Sequence, residues 1–133
     1  MPWLLDTHVW LWSQIEPERL GPTAVAVLER PDEVLYVATV STLELACLVA
    51  AGRVTLQVSV AEWVDATLAE LAAATLELTH PIAAAAYCLP GEFHRDPADR
   101  LLVATARQHA LVILTADRRI LEYAHVRSQD ASH

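Results

Sequence analysis

Asp6, Glu44, Asp99 and Asp117 each stand where an apolar stretch ends or a helix should begin, and Asp96 is placed to join them. Carboxylates hold hard divalent cations, because such ions take oxygen ligands. Brought to one point they repel: two like charges ~4 Å apart cost about 4 kcal/mol at an effective dielectric near 20. A divalent ion reverses that sign and lowers the pKa of water bound to it. The chemistry implied is a magnesium- or manganese-dependent reaction at phosphate.

Each acid also has a plainer explanation. Asp6 follows Trp3, Leu4 and Leu5, and Asp is a favoured helix cap. Ser41 and Glu44 match the S-x-x-E capping box. Yet Glu44 shares a helix side with Cys47, Leu48 and Ala51, which reads as a core-facing stripe. Asp96 suits an N-cap, with Pro97 in the first helical position. Asp99 shares its face with Leu102, Val103 and Ala106, and is harder to explain without a ligand. Asp117 could simply pair with the arginines that follow it, while Thr115 can cap a short helix and bond a carboxylate. Capping and surface pairing need four coincidences; one site explains all four acids.

Such a site requires elements that bring distant points together. Residues 3–5 read as a buried first strand, 34–38 as a β-branched second strand and 76–78 as a third. Residues 110–114 read as the last core strand. Between them, helices are predicted over 22–30, from Ser41 to about Ala51 with Gly52 closing, and over 81–88. Val60, Trp63, Val64, Thr67, Leu68 and Leu71 keep the spacing of an amphipathic helix. Asp96 opens another helix lasting to about His109, and a short one falls within 115–123. Strands alternating with helices imply an α/β fold with parallel βαβ units, built as a three-layer sandwich. The open edge of such a sheet is where ligands bind. The domain is expected over residues 1–127, with a polar, frayed tail over 128–133.

At 133 residues the chain makes one domain with a real core. Its hydrophobic fraction of 54% suits a sheet buried on both faces, with further apolar surface for a partner. No apolar run approaches the ~18 residues of a membrane span, and no basic region precedes the first apolar segment, so neither membrane insertion nor a signal peptide is expected. Cys47 and Cys88 form no CxxC pair and read as small buried side chains in a cytoplasmic protein. A formal charge of −8 argues against a passive nucleic-acid binder, though not against an enzyme that meets phosphate through a cation. Phosphate-loop, dinucleotide, zinc-protease and nucleophile-elbow motifs are absent. His94, Arg95, Arg100 and Arg118 could contact phosphate. His8 reads as a partly buried structural residue, and Trp3, Trp10, Trp12 and Trp63 as core or interface.

Four stretches taken together, at 4–10, 40–45, 94–106 and 114–118, resemble the PIN-domain ribonucleases, and within them the toxins of VapBC toxin–antitoxin modules. The resemblance implies a PIN-like α/β/α sandwich with a parallel sheet of about five strands. It implies Mg2+- or Mn2+-dependent cleavage of RNA, a cognate antitoxin that inhibits it, and a homodimer. Carried over by position, the acidic quartet is Asp6, Glu44, Asp99 and Asp117, with Thr115 as the hydroxyl before the last acid. Asp6 and Asp99 are the expected direct ligands, and Asp96 matches an acid present in only part of the family. Ala98 departs from the pattern, standing where many relatives place Phe. A metal-dependent phosphatase and an inactive PIN-like interaction module remain alternatives.

Overall fold

Five parallel strands form a single sheet in the computed structural model, which describes residues 1–133. They are β1 (Pro2–Leu5), β2 (Val34–Ala38), β3 (Ala74–Leu76), β4 (Val112–Thr115) and β5 (Arg127–Asp130), arranged in space as 3-2-1-4-5. The helices are α1 (Thr7–Ile15), α2 (Pro22–Glu29), α3 (Thr39–Ala50), α4 (Val60–Leu71), α5 (His80–Ala85), α6 (Pro97–His109) and α7 (Arg118–Leu121).

Alternate side chains of each strand point to opposite faces, and both faces are covered. Trp3, Leu5, Leu35, Val37, Val112 and Leu114 pack with Val9, Trp10, Ala24 and Trp63 from α1, α2 and α4. Leu4, Ala38 and Ile113 face the other way, onto Leu102, Val103 and Ala106 of α6. This is the expected three-layer sandwich.

The strand order sets the position of any site. From β1 the chain moves outward to β2 and β3, then crosses back to place β4 and β5 on the other side. β1 pairs with both β2 and β4, with Leu5 opposite Leu114. The connections leaving β1 and β4 therefore diverge and leave a crevice beyond their carboxyl ends.

Several expectations need correction. Residues 128–133 are not a frayed tail, and the domain does not stop at 127. β5 pairs in parallel with β4, Ala131 is fully buried, and its N–H donates to Thr115 O at 2.8 Å. A polar sequence suffices there because an edge strand is held by backbone bonds and gains from charged side chains. The third strand begins at Ala74, and the helix expected over 81–88 ends at Ala85. α3 starts before Ser41, capped by Ala38 without a side-chain bond, so the S-x-x-E match is no capping box. The helix side carrying Glu44 is only partly core-facing: Leu48 packs on the core, but Cys47 and Ala51 are exposed, and Cys88 is exposed rather than buried. His8 is exposed rather than partly buried.

The final residues close against α2. Gly21 N–H donates to Ala131 O at 2.9 Å, and Thr23 N–H to His133 O at 3.2 Å. A Cβ at Gly21 would lie 2.4–2.6 Å from the His133 backbone, so only glycine permits this approach.

Candidate active site

The crevice beyond β1 and β4 holds a cavity of about 250 Å³ lined by Asp6, His8, Trp12, Glu44, Asp96, Asp99, Ala116, Asp117 and Arg119. All five acids singled out in the sequence are there. They come from four places: the end of β1, the second turn of α3, the first turn of α6 and the loop after β4.

Asp6 leaves β1 and caps α1, its Oδ1 accepting from Thr7 N–H at 2.7 Å. Its Oδ2 accepts from the Thr115 hydroxyl at 2.6 Å, a bond linking residues 109 positions apart. Capping and site membership coexist, because each carboxylate oxygen has a second lone pair. Burial pushes the Asp6 carboxyl above its usual range, against the lowering effect of the Thr115 bond.

Thr7 reaches the other way. Its hydroxyl lies 2.6 Å from Glu44 Oε1 and 2.9 Å from Ser41 Oγ. With one proton to give, Thr7 donates to the carboxylate and accepts from Ser41. Ser41 thus serves to orient Thr7. Glu44 is half-buried; burial raises its pKa, the Thr7 bond lowers it and the charge of Asp6 raises it again.

Asp96 caps α6, its Oδ1 accepting from Ala98 N–H at 3.0 Å. One turn later Asp99 is 5% exposed, and its pKa is pushed up to about 8 by burial, then by Asp6, Asp96, Asp117 and Glu44. The α6 N-terminus offers partial positive charge, but not enough to offset four acids. Asp117 caps α7 and accepts from Arg119 Nε at 3.2 Å and Nη2 at 3.0 Å. Burial pushes Asp117 up, but these bonds and the arginine charge outweigh it and its carboxyl falls below the usual range.

Two residues matter more here than the sequence reading gave them. Arg119 Nη2 lies 3.0 Å from Asp117 and 3.8 Å from Asp99, a cation resting over the cluster. His94 Nε2 is buried 2.9 Å from Asp99 Oδ2 but too bent for a hydrogen bond. Its Nδ1 accepts from Asp96 N–H at 3.4 Å, which leaves the proton on Nε2, facing Asp99. Burial, and then the charge of Arg119, lower the His94 pKa. Arg100 is drawn away instead, bonding the carbonyls of Ala86, Phe93 and His94, and Arg118 pairs with Glu122 and Asp130. Neither points at phosphate.

The donors fit a hard divalent ion: they are carboxylate oxygens, and the burial and repulsion that push the Asp99 carboxyl up to about 8 are of the kind a cation offsets. Ligand atoms of His94, Asp99 and Asp117 lie within 4.8 Å of one another. Asp6 and Glu44 line the same cavity outside that tight trio.

Comparison with known proteins identifies the family and the fold. Residues 3–126 match the family described as "PIN domain". A curated relative, "Ribonuclease VapC22" of Mycobacterium tuberculosis, is 43% identical over 124 residues, 93% of each chain. Among solved structures, VapBC2 from Rickettsia felis bound to a promoter DNA fragment superimposes with a TM-score of 0.71 at 11% identity, covering 97% of this chain and 98% of that one. FitAcB from Neisseria gonorrhoeae gives 0.62 at 24% identity, covering 98% and 99%. At those identities the structural likenesses speak for the fold.

Proposed function

The chain belongs to the PIN-domain family, and from that premise we propose that it is a metal-dependent endoribonuclease acting as the toxin of a toxin–antitoxin pair. The observation that carries the reading is the meeting of Asp6, Glu44, Asp96, Asp99 and Asp117 in one cavity at the point where the strand order reverses.

Asp6 and Asp99 are the primary ligands, with Glu44 and Asp117 completing the set and Asp96 first of all a cap. The ion is Mg2+ or Mn2+, and when bound it supplies a positive charge for the phosphodiester and an acidified water. The chain's own residues do the positioning. Thr115 and the Thr7 N–H fix both oxygens of Asp6. Thr7 holds Glu44, and Ser41 holds Thr7. Asp99, raised by burial and its neighbours, gives up its proton when a cation offsets that repulsion, so ion binding and its ionisation are linked.

The substrate is RNA and the working form a homodimer in the cytoplasm. Exposed apolar side chains such as Leu43 (64%) and Tyr87 (63%) favour such pairing. No helix is long and apolar enough to cross a membrane. A cognate antitoxin inhibits the enzyme by presenting a cation to the acids; the position of Arg119 supports this, since a guanidinium already fits there.

The test is cleavage of single-stranded RNA with Mn2+ or Mg2+, alongside Asp6→Asn and Asp99→Asn variants checked for folding by circular dichroism. Parent activity that chelation abolishes, with at least a ~100-fold loss in both variants, is expected for groups that hold a catalytic ion. A folded Asp99→Asn protein with full activity refutes the assignment. A small phosphomonoester assayed in parallel separates a nuclease from a phosphatase.

A further inference from the structure

A second cavity, of about 320 Å³, opens directly off the acidic one. His8 and Trp12 line both, so they form the partition between them. Its remaining walls are Leu11, Ile15, Glu16, Arg19, Leu48, Arg53, Val54 and Thr55: the outer side of α1 facing the turn that ends α3.

Its chemistry is unlike that of its neighbour. Trp12 is only partly buried, although Trp10 two residues away is fully buried against Trp63. The Arg19 guanidinium lies over the Trp12 ring, 4.6 Å from its centroid, so that face already takes a flat, planar group from this chain. Apart from the ring, Arg19 is held by an exposed pair with Glu16 at 3.2 Å. Arg53 stands across the groove with no carboxylate partner.

The placement of Arg53 is built into the backbone. Gly52 takes a positive φ of 73°, Gly52 N–H donates to Val49 O at 3.0 Å, and Arg53 N–H donates to Leu48 O at 2.9 Å. These two bonds make a Schellman motif, which turns the chain back sharply at the end of α3. Arg53 is thereby directed towards α1 on a chain that is otherwise strongly acidic.

An aromatic ring beside the reaction centre, flanked by two arginines, matches single-stranded nucleic acid: bases stack on aromatic faces and phosphates meet guanidinium groups. We propose that this groove seats the nucleoside next to the scissile phosphate of single-stranded RNA, its base stacked on Trp12 and its far phosphate held by Arg53 and Arg19. The proposal rests on the ribonuclease reading and adds to it the strand form and a binding subsite. Arg19 leaves the ring and Glu16 when the base arrives. Glu16 is the one group on this wall that opposes a phosphate. A base locked in a duplex cannot reach Trp12, so pairing the flank removes the advantage.

Two measurements test it. The first is cleavage of a single-stranded hexaribonucleotide and of a dinucleotide lacking the flank, with Mn2+. The second is equilibrium binding of the fluorescein-labelled hexamer, by anisotropy, to the Asp99→Asn protein and to variants made in that background. Trp12→Ala and Arg53→Gln are each expected to lower kcat/KM on the hexamer about tenfold, chiefly through KM, and Arg53→Gln, outside the acidic cavity, to leave dinucleotide cleavage unchanged. Glu16→Gln is expected to tighten hexamer binding, and it and Arg53→Gln touch no core residue, so folding is not at issue for them. Parent-like binding and KM in all three variants overturns the subsite while a cleaving parent keeps the nuclease reading, leaving the groove to a protein partner. A parent that binds the hexamer through Trp12 but never cleaves it keeps the subsite and removes the nuclease reading. A parent that does neither removes both.

Discussion

Arg119 and Asp99 show how single residues balance charge in this site. Arg119 bonds Asp117 through two guanidinium nitrogens and leans towards Asp99. A metal ion and this guanidinium compete for the same carboxylates. Replacing Arg119 with Gln is therefore expected to tighten Mn2+ binding severalfold, read by calorimetry; unchanged or weaker binding would show that Arg119 stands clear of the ion. Asp99 makes a second prediction, about pH. Its folded pKa of about 8 lies above the unfolded carboxylate value. Between those values the folded state holds the extra proton, so stability of the metal-free protein falls as pH rises from about 4 to about 8. The melting temperature in chelator should drop across that range, with ~1 kcal/mol worth about 4 °C at this size. Asp99→Asn should flatten the fall and divalent ion should reverse it in the parent; a parent profile as flat as the variant's would contradict the burial argument. The acids were legible because Asp6, Asp99 and Asp117 stand at visible transitions from apolar strand to helix. Thr7 and Ser41 were not legible as parts of the site, because their work depends on partners more than thirty residues away; the pairing of Arg119 with Asp117 was legible, its approach to Asp99 was not.

At the scale of elements, the ends of helices do most of the positioning. Asp6, Asp96 and Asp117 each cap a helix while lining the cavity. Asp96 can be separated into its two roles. Asp96→Ala should cost about 1 kcal/mol through loss of the cap, whereas Asp96→Asn should keep most of that stability. If the cap is its main function, Asp96→Asn retains Mn2+ affinity within about threefold by calorimetry; a loss beyond tenfold would make it a ligand. Elements with an apolar period were readable: β1, β2, β4, α4 and α6 follow their patterns closely. β5 was not, because Arg127, Ser128, Gln129 and Asp130 have no apolar alternation and owe their conformation to the β4 backbone. The start of α3 was misplaced because a side-chain cap was sought where the backbone turns without one.

For the whole molecule, the topology makes the site and the closing segment makes the sheet. Gly21 joins α2 to the last residues, where no side chain fits. Gly21→Ala should displace residues 131–133 and loosen β5, at a cost of about 1–3 kcal/mol typical of overpacking. Hydrogen exchange at Ala131 N–H should quicken while the amides of β2 stay protected; equal protection in both would show that the end segment can shift without releasing the strand.

The strand order also governs when activity can arise. Asp6 stands 109 positions before the Thr115 hydroxyl that fixes it, so the two meet only once β1 and β4 pair. A nascent chain carrying only β1 to β3 has half of the crevice and two of its acids. Competence for the proposed chemistry thus arrives in one step, with the pairing of β4 against β1, rather than growing strand by strand.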